Sequence, residues 1–110
     1  MSAGDPARPA GAAAHERLEA TIRGRVQGVG FRYFAVRAAM ELGLVGWVAN
    51  VADGRVKSVA EGPPDALDAF EVALGDGPIG AIVDAVDAVR MPATGAFDRF
   101  AVRSGAHPGD

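Results

Sequence analysis

Over positions 17–26 apolar and polar residues alternate, with Leu18, Ala20, Ile22 and Val26 set against Glu19, Thr21, Arg23 and Arg25. That period of two predicts a strand with one dry face and one charged face. The period then changes. Phe31, Phe34, Ala35, Ala38 and Leu42 recur at three- and four-residue steps, which predicts an amphipathic helix over 31–42 laid on the sheet, with Gly43 as its stop. Two strand-like runs follow at 45–51 and 56–61, separated by Ala52-Asp53-Gly54-Arg55. Asp-Gly supplies the positive backbone angles of a tight hairpin.

Gly62-Pro63-Pro64-Asp65 ends that run and opens a second helix, proline being suited to a first helical turn. Its expected buried stripe is Leu67, Phe70 and Leu74, and Gly75-Asp76-Gly77-Pro78 closes it. The stretch 81–91 fits a helix as well as a strand, since Ile82, Val83, Val86 and Val89 suit either spacing. Its valine content favours a strand, as does the need for a neighbour to the last run, 96–103, which carries Phe97, Phe100 and Val102. Helices with one apolar stripe each, joined by right-handed crossovers, belong on the same side of one sheet. The expected fold is therefore α+β, a ferredoxin-like α/β sandwich (βαββαβ) with two helices on one face of an antiparallel sheet. Residues 1–16, rich in Ala, Gly and Pro, read as a flexible leader, 17–103 as one domain, and 104–110 as a tail.

Composition narrows the function classes. A chain of 110 residues, 49% of them hydrophobic, suffices for one core. The net charge of −3 argues against general nucleic-acid binding, which needs a broad basic surface. Yet Arg23, Arg25, Arg32 and Arg37 fall between Ala20 and Met40 with no acid among them, a local field that draws a small anion to one spot. The absence of cysteine removes disulfides, thiol nucleophiles and thiolate metal sites. His15 and His107 lie in the expected tails, and Asp65 and Asp68 read as helix-start charges. No segment has the apolar length of a membrane span, and the N-terminus lacks the pattern of a signal peptide. These features lead us to expect a cytoplasmic monomer with no membrane or nucleic-acid partner.

The run GRVQGVGFR at 24–32 lies between the first strand and the first helix. Its three glycines let the backbone turn tightly and aim several N–H groups at one anion. The helix that follows adds its free N–H groups and the positive end of its dipole, and Arg32 adds a planar, permanently charged set of donors. An ordinary strand-to-helix turn is the plainer alternative. The loop lacks both GxxxxGK[ST] and GxGxxG with its distal acid, so no nucleotide reading applies. Asn50, an amide at the end of an apolar strand, has two readings. It begins the turn by bonding its own backbone, or it lines a pocket beside Arg32 and holds a water. Trp47 is expected in the core or at a sheet edge.

GRVQGVGFR at 24–32, ELGLVGWVAN at 41–50 and ADGRV at 52–56 together resemble the acylphosphatase family. Beyond Gly62 the similarity rests on the GPPDAL helix start, AIVDAV at 81–86 and FAVR at 100–103. The resemblance implies hydrolysis of small-molecule acyl phosphates to a carboxylate and inorganic phosphate, without cofactor or metal. It places the phosphate-binding arginine on Arg32, the water-orienting asparagine on Asn50, and the phosphate loop on Gln27, Gly28, Val29, Gly30, Phe31 and Arg32. Two rival readings exist. One is a domain that binds acyl or carbamoyl phosphate without turnover, as in family members fused to larger carbamoyl-transfer proteins. The other is a ferredoxin-like RNA-binding module, disfavoured by the acidic balance and the lack of an aromatic ladder.

Overall fold

The computed structural model describes residues 15–104. In chain order the elements are β1 (Glu16–Arg25), α1 (Phe31–Glu41), β2 (Val45–Asn50), β3 (Val56–Gly62), α2 (Pro64–Asp76), β4 (Ile82–Pro92) and β5 (Phe100–Val102). The strands form one sheet in the order β4-β1-β3-β2-β5. Both helices cover one face, α1 over β2 and β5, α2 over β1 and β4. This is the expected ferredoxin-like α+β sandwich.

The alternation in β1 has the anticipated consequence. Leu18, Ala20 and Ile22 face the helices and are buried, as are Val56 and Ala60 opposite them on β3. Leu67, Phe70 and Leu74 from α2 are fully buried against this face, and Phe100 meets Phe70 edge to face with ring centroids 5.8 Å apart. The buried stripe of α1 is Phe31, Ala35 and Ala39, while Ala38 and Leu42 are only partly buried and Phe34 stacks edge-on to Phe31 at 5.9 Å. Gly43 ends α1 with φ of 72°. The N–H of Leu44 bonds the Ala39 carbonyl at 2.9 Å and that of Gly43 the Met40 carbonyl at 3.1 Å, the paired bonds of a Schellman stop.

Three expectations need correction. The last strand covers Phe100–Val102 only, not 96–103, and Phe97 lies in the preceding connection beneath the Arg17 guanidinium at 5.6 Å. That strand does not neighbour β4. It pairs in parallel with β2 at the opposite edge, so the sheet is mixed rather than antiparallel throughout. The carbonyl of Arg99 and the N–H of Arg103 bond the backbone of Gly46 and Val48, each at 2.9 Å, and partner choice of this kind depends on where the chain crosses, which local periodicity does not record. Finally, the leader boundary moves. Glu16 already belongs to β1, opposite Gly62 and Pro92, and the His15 carbonyl accepts from Ala93 N–H at 3.4 Å. Residues 1–14 of the leader and 105–110 of the tail, including His107, fall outside the described residues. Trp47 sits half-buried on the open face of the sheet, its ring covered by the Arg103 guanidinium at 4.5 Å. Among the described residues no helix is long and apolar enough to cross a membrane.

Candidate active site

Three connections meet at the end of the sheet where β1 finishes. They are the β1–α1 loop at 26–30, the β2–β3 turn at 51–55 and the α2–β4 connection at 77–81. The β1–α1 loop leaves the sheet just after a register shift between Arg23 and Gly24. Gly24 has φ of 132°, and a Cβ there would run into the Ile82 carbonyl oxygen. This glycine is thus needed for close approach of β4, and the loop itself uses two glycines rather than three. Those two are Gly28 and Gly30, with φ of 76° and 79°, and a Cβ on either would meet no neighbour. Their backbone angles, not crowding, favour glycine there.

Gly30 occupies the N-cap of α1 in the left-handed conformation, no side chain caps the helix, and its first turn holds no acid. The first bond of the helix runs from Phe34 N–H to the Gly30 carbonyl at 3.0 Å. The N–H groups of Phe31, Arg32 and Tyr33 therefore stand without intrahelical acceptors at the positive end of the dipole. Phe31, 2% exposed, anchors this helix start in the core, and Val29 packs against its margin.

Gln27 joins two of the connections. Its Nε2 donates to the carbonyls of Val51 and Arg55 at 2.7 and 2.9 Å, across the neck of the β2–β3 turn, where Val51 N–H also bonds the Arg55 carbonyl at 2.8 Å. In the sequence Gln27 counted only as a loop residue. A long amide side chain among glycines was the one signal that it braces the loop to the hairpin.

Asn50 ends β2, directly opposite Val56, which in turn is opposite Ile22. Residues paired in this way share a face, so Asn50 stands on the helix side of the sheet, one residue from the Gln27 brace. The turn's own side-chain bond is made by Asp53, whose Oδ1 accepts from Arg55 N–H at 3.2 Å. Its other oxygen pairs with Arg55 Nε at 2.7 Å, and hydrogen bonds from Arg55 hold the Asp53 carboxyl below its usual pKa. The connection is five residues long, broader than a two-residue hairpin turn, with Gly54 at φ of 98°.

Among the described residues the side chains of Arg32 and Asn50 make no hydrogen bond or ion pair, and both are half-buried. Of the neighbouring arginines, Arg23 pairs with Asp87 at 2.8 Å, while Arg25 and Arg37 also make no side-chain bond among the described residues but are exposed rather than half-buried. The acid Asp68 is taken by Arg90 at 2.8 Å. A broad hollow of about 720 Å³ lies elsewhere, on the open face of the sheet, lined by Arg17, Thr21, Trp47, Lys57 and Val89 among others.

The fold is thus a small ferredoxin-like domain with unpaired helix-start N–H groups, Arg32 and Asn50 at one end of its sheet. The profile of the family described as Acylphosphatase matches residues 18–102, and the chain belongs to that family. It is similar to the acylphosphatase of Salinibacter ruber, 49% identical over 88 residues that span 80% of this chain and 93% of that one. The acylphosphatase of Thermus thermophilus is 55% identical over 71 residues, 64% of this chain and 81% of its own. The crystal structure of acylphosphatase from Bacillus subtilis matches with a TM-score of 0.78 at 38% identity, covering 80% of this chain and 98% of that one. The chain is accordingly a hydrolase, and acyl phosphates are the substrate class of its family.

Proposed function

We propose that the phosphoryl group of an acyl phosphate is held by Arg32 and the backbone N–H groups of Gln27 to Arg32, and that Asn50 orients the attacking water. The observation that carries this reading is the Gln27 brace, which ties the glycine loop to the strand end bearing Asn50 while the side chains of Arg32 and Asn50 have no polar partner among the described residues. A half-buried guanidinium and a half-buried amide without protein partners are suited to a bound anion and its water.

The chemistry asks for little more. Water oxygen attacks phosphorus, the bond from phosphorus to the acyl oxygen breaks, and the carboxylate leaves with the bonding pair. Its conjugate acid has a pKa near ~4, so no general acid is required. Charge on the equatorial oxygens is met by fixed N–H dipoles and one guanidinium, so the reaction needs no metal. The amide of Asn50 lowers the barrier through orientation. The proton of the attacking water passes to a non-bridging oxygen of the phosphoryl group, the nearest base in this arrangement.

Benzoyl phosphate with excess chelator tests the reading. The expected result is stoichiometric release of benzoate and inorganic phosphate, lost in Arg32→Ala. Tight binding of the acyl phosphate without release would favour the binding-only domain, and a rate that collapses on removing a nearby Asp or Glu, with binding intact, would overturn the proton route.

A further inference from the structure

The three connections at the site end are arranged in the order of the sheet. The β2–β3 turn and Asn50 lie on one flank of β1, beyond β3, and the α2–β4 connection lies on the other flank. In-line displacement puts the attacking and leaving oxygens on opposite sides of phosphorus. If water approaches from the Asn50 flank, the acyl group departs toward the α2–β4 connection.

That connection is built as a firm, apolar projection. Gly77 ends α2, and a Cβ on it would lie 3.2 Å from the Phe31 ring and 3.3 Å from the Ala81 Cβ, so the segment is packed against the residue preceding Arg32. Ala81 N–H bonds the Pro78 carbonyl at 3.0 Å, closing a four-residue turn in which Gly80 has φ of 95°, the positive angle that a type II turn requires at its third position. Proline restricts the turn at its start. At its second position stands Ile79, 102% exposed, the most exposed large apolar side chain among the described residues. The body of the fold makes no use of it, since it lies outside the core and its margin. A singly exposed aliphatic side chain is ordinary on a protein surface. What sets Ile79 apart is its place at the tip of the connection that abuts Phe31, at the helix start that carries Arg32.

We propose that Ile79, at the tip of the α2–β4 turn, receives the acyl group of the substrate and favours acyl phosphates whose acyl part is apolar over small or polar ones. This inference rests on the reading of Asn50 given above, which sets the direction of attack. An exposed contact of this kind covers one side of the acyl group only, so its effect is smaller than that of an enclosing pocket.

The test compares kcat/KM for benzoyl phosphate with that for acetyl phosphate within each variant, a ratio from which the fraction of active protein cancels. The wild-type ratio is expected to exceed that of Ile79→Ser by about tenfold, the low end for an apolar specificity contact. Ile79→Leu should retain most of the wild-type ratio. An unchanged ratio in Ile79→Ser, or a wild type that favours acetyl phosphate, would overturn the assignment. Failure of the underlying reading has a different signature, because Asn50→Ala would then keep the wild-type kcat on both substrates while the ratio in Ile79→Ser is still measured.

Discussion

At the end of the sheet where β1 begins, Glu61 accepts from Thr94 N–H, Thr94 Oγ1 at 2.7 Å, Gly95 N–H at 2.9 Å and Arg17 Nη1 at 3.3 Å. Nearby, Arg90 grips Glu16, Asp68 and Glu71 at 3.1, 2.8 and 3.3 Å, drawing β4, β1 and α2 together. At the end where β1 finishes, Arg32 and Asn50 have no such partners among the described residues. Both ends contain half-buried or buried polar groups, but one end satisfies most of them internally, Arg90 Nε being the exception, and the other leaves Arg32 and Asn50 without partners among the described residues. Glu61 is only 3% exposed and sits beneath the segment 93–99 that carries the chain from β4 across to β5. Its polar contacts hold a crossing in place. The Gln27 brace serves a similar purpose for the loop, yet does so without using the groups a phosphate would need. Polar groups that complete each other stabilise the fold, and polar groups left incomplete are available to a ligand.

The contrast can be tested by removing groups from each end. Arg32→Ala should have the largest effect, lowering kcat/KM on benzoyl phosphate about a thousandfold or more through both KM and kcat, because charge stabilisation of the transferring phosphoryl group is lost. Asn50→Ala should lower kcat about a hundredfold, equivalent to ~3 kcal/mol, with KM little changed. Comparable KM and kcat changes in the two variants would break the division of roles. Neither substitution should lower the thermal midpoint much, as neither side chain makes a polar bond among the described residues.

Glu61→Gln should do the reverse, costing about 2 kcal/mol of stability in chemical denaturation while kcat at temperatures below unfolding stays close to wild type. Burial pushes the Glu61 carboxyl up, but hydrogen bonds from Thr94, Gly95 and Arg17 outweigh it and hold the pKa below the ordinary 4.5. Its stabilisation is complete above that value and is lost as pH falls through the depressed folded-state value. The wild type should therefore lose thermal stability below pH 4.5 more steeply than Glu61→Gln, and parallel curves would remove Glu61 from the acid transition. The smallest effect is expected for Gln27→Ala. Loosening the loop from the hairpin should reduce kcat/KM about tenfold, with less change in stability than at Glu61. An effect on stability alone would show that the brace belongs with the structural end.

Much of this was legible along the chain. Alternation in β1 and the stripe Leu67, Phe70 and Leu74 marked the faces that pack, because burial imposes the periods of strand and helix directly on sequence. GRVQGVGFR and Asn50 stood out because glycines with positive φ and a strand-end amide are costly unless something requires them. Gly24 was misread as part of the loop, since crowding by the Ile82 carbonyl comes from a strand more than fifty residues away. The short β5 was overextended and given the wrong neighbour for the same reason.

The order of residues alone determined the element types, the two-layer packing and the amino acids available for an anion cradle, all of which follow from local period and backbone preference. Only tertiary structure decided that β5 lies beside β2, that Gln27 clasps the hairpin, that Asp53 rather than Asn50 bonds the turn, and that Glu61 secures the crossing segment. Each of these joins groups distant in sequence, and their pairing depends on how strands are placed side by side, which no local pattern encodes.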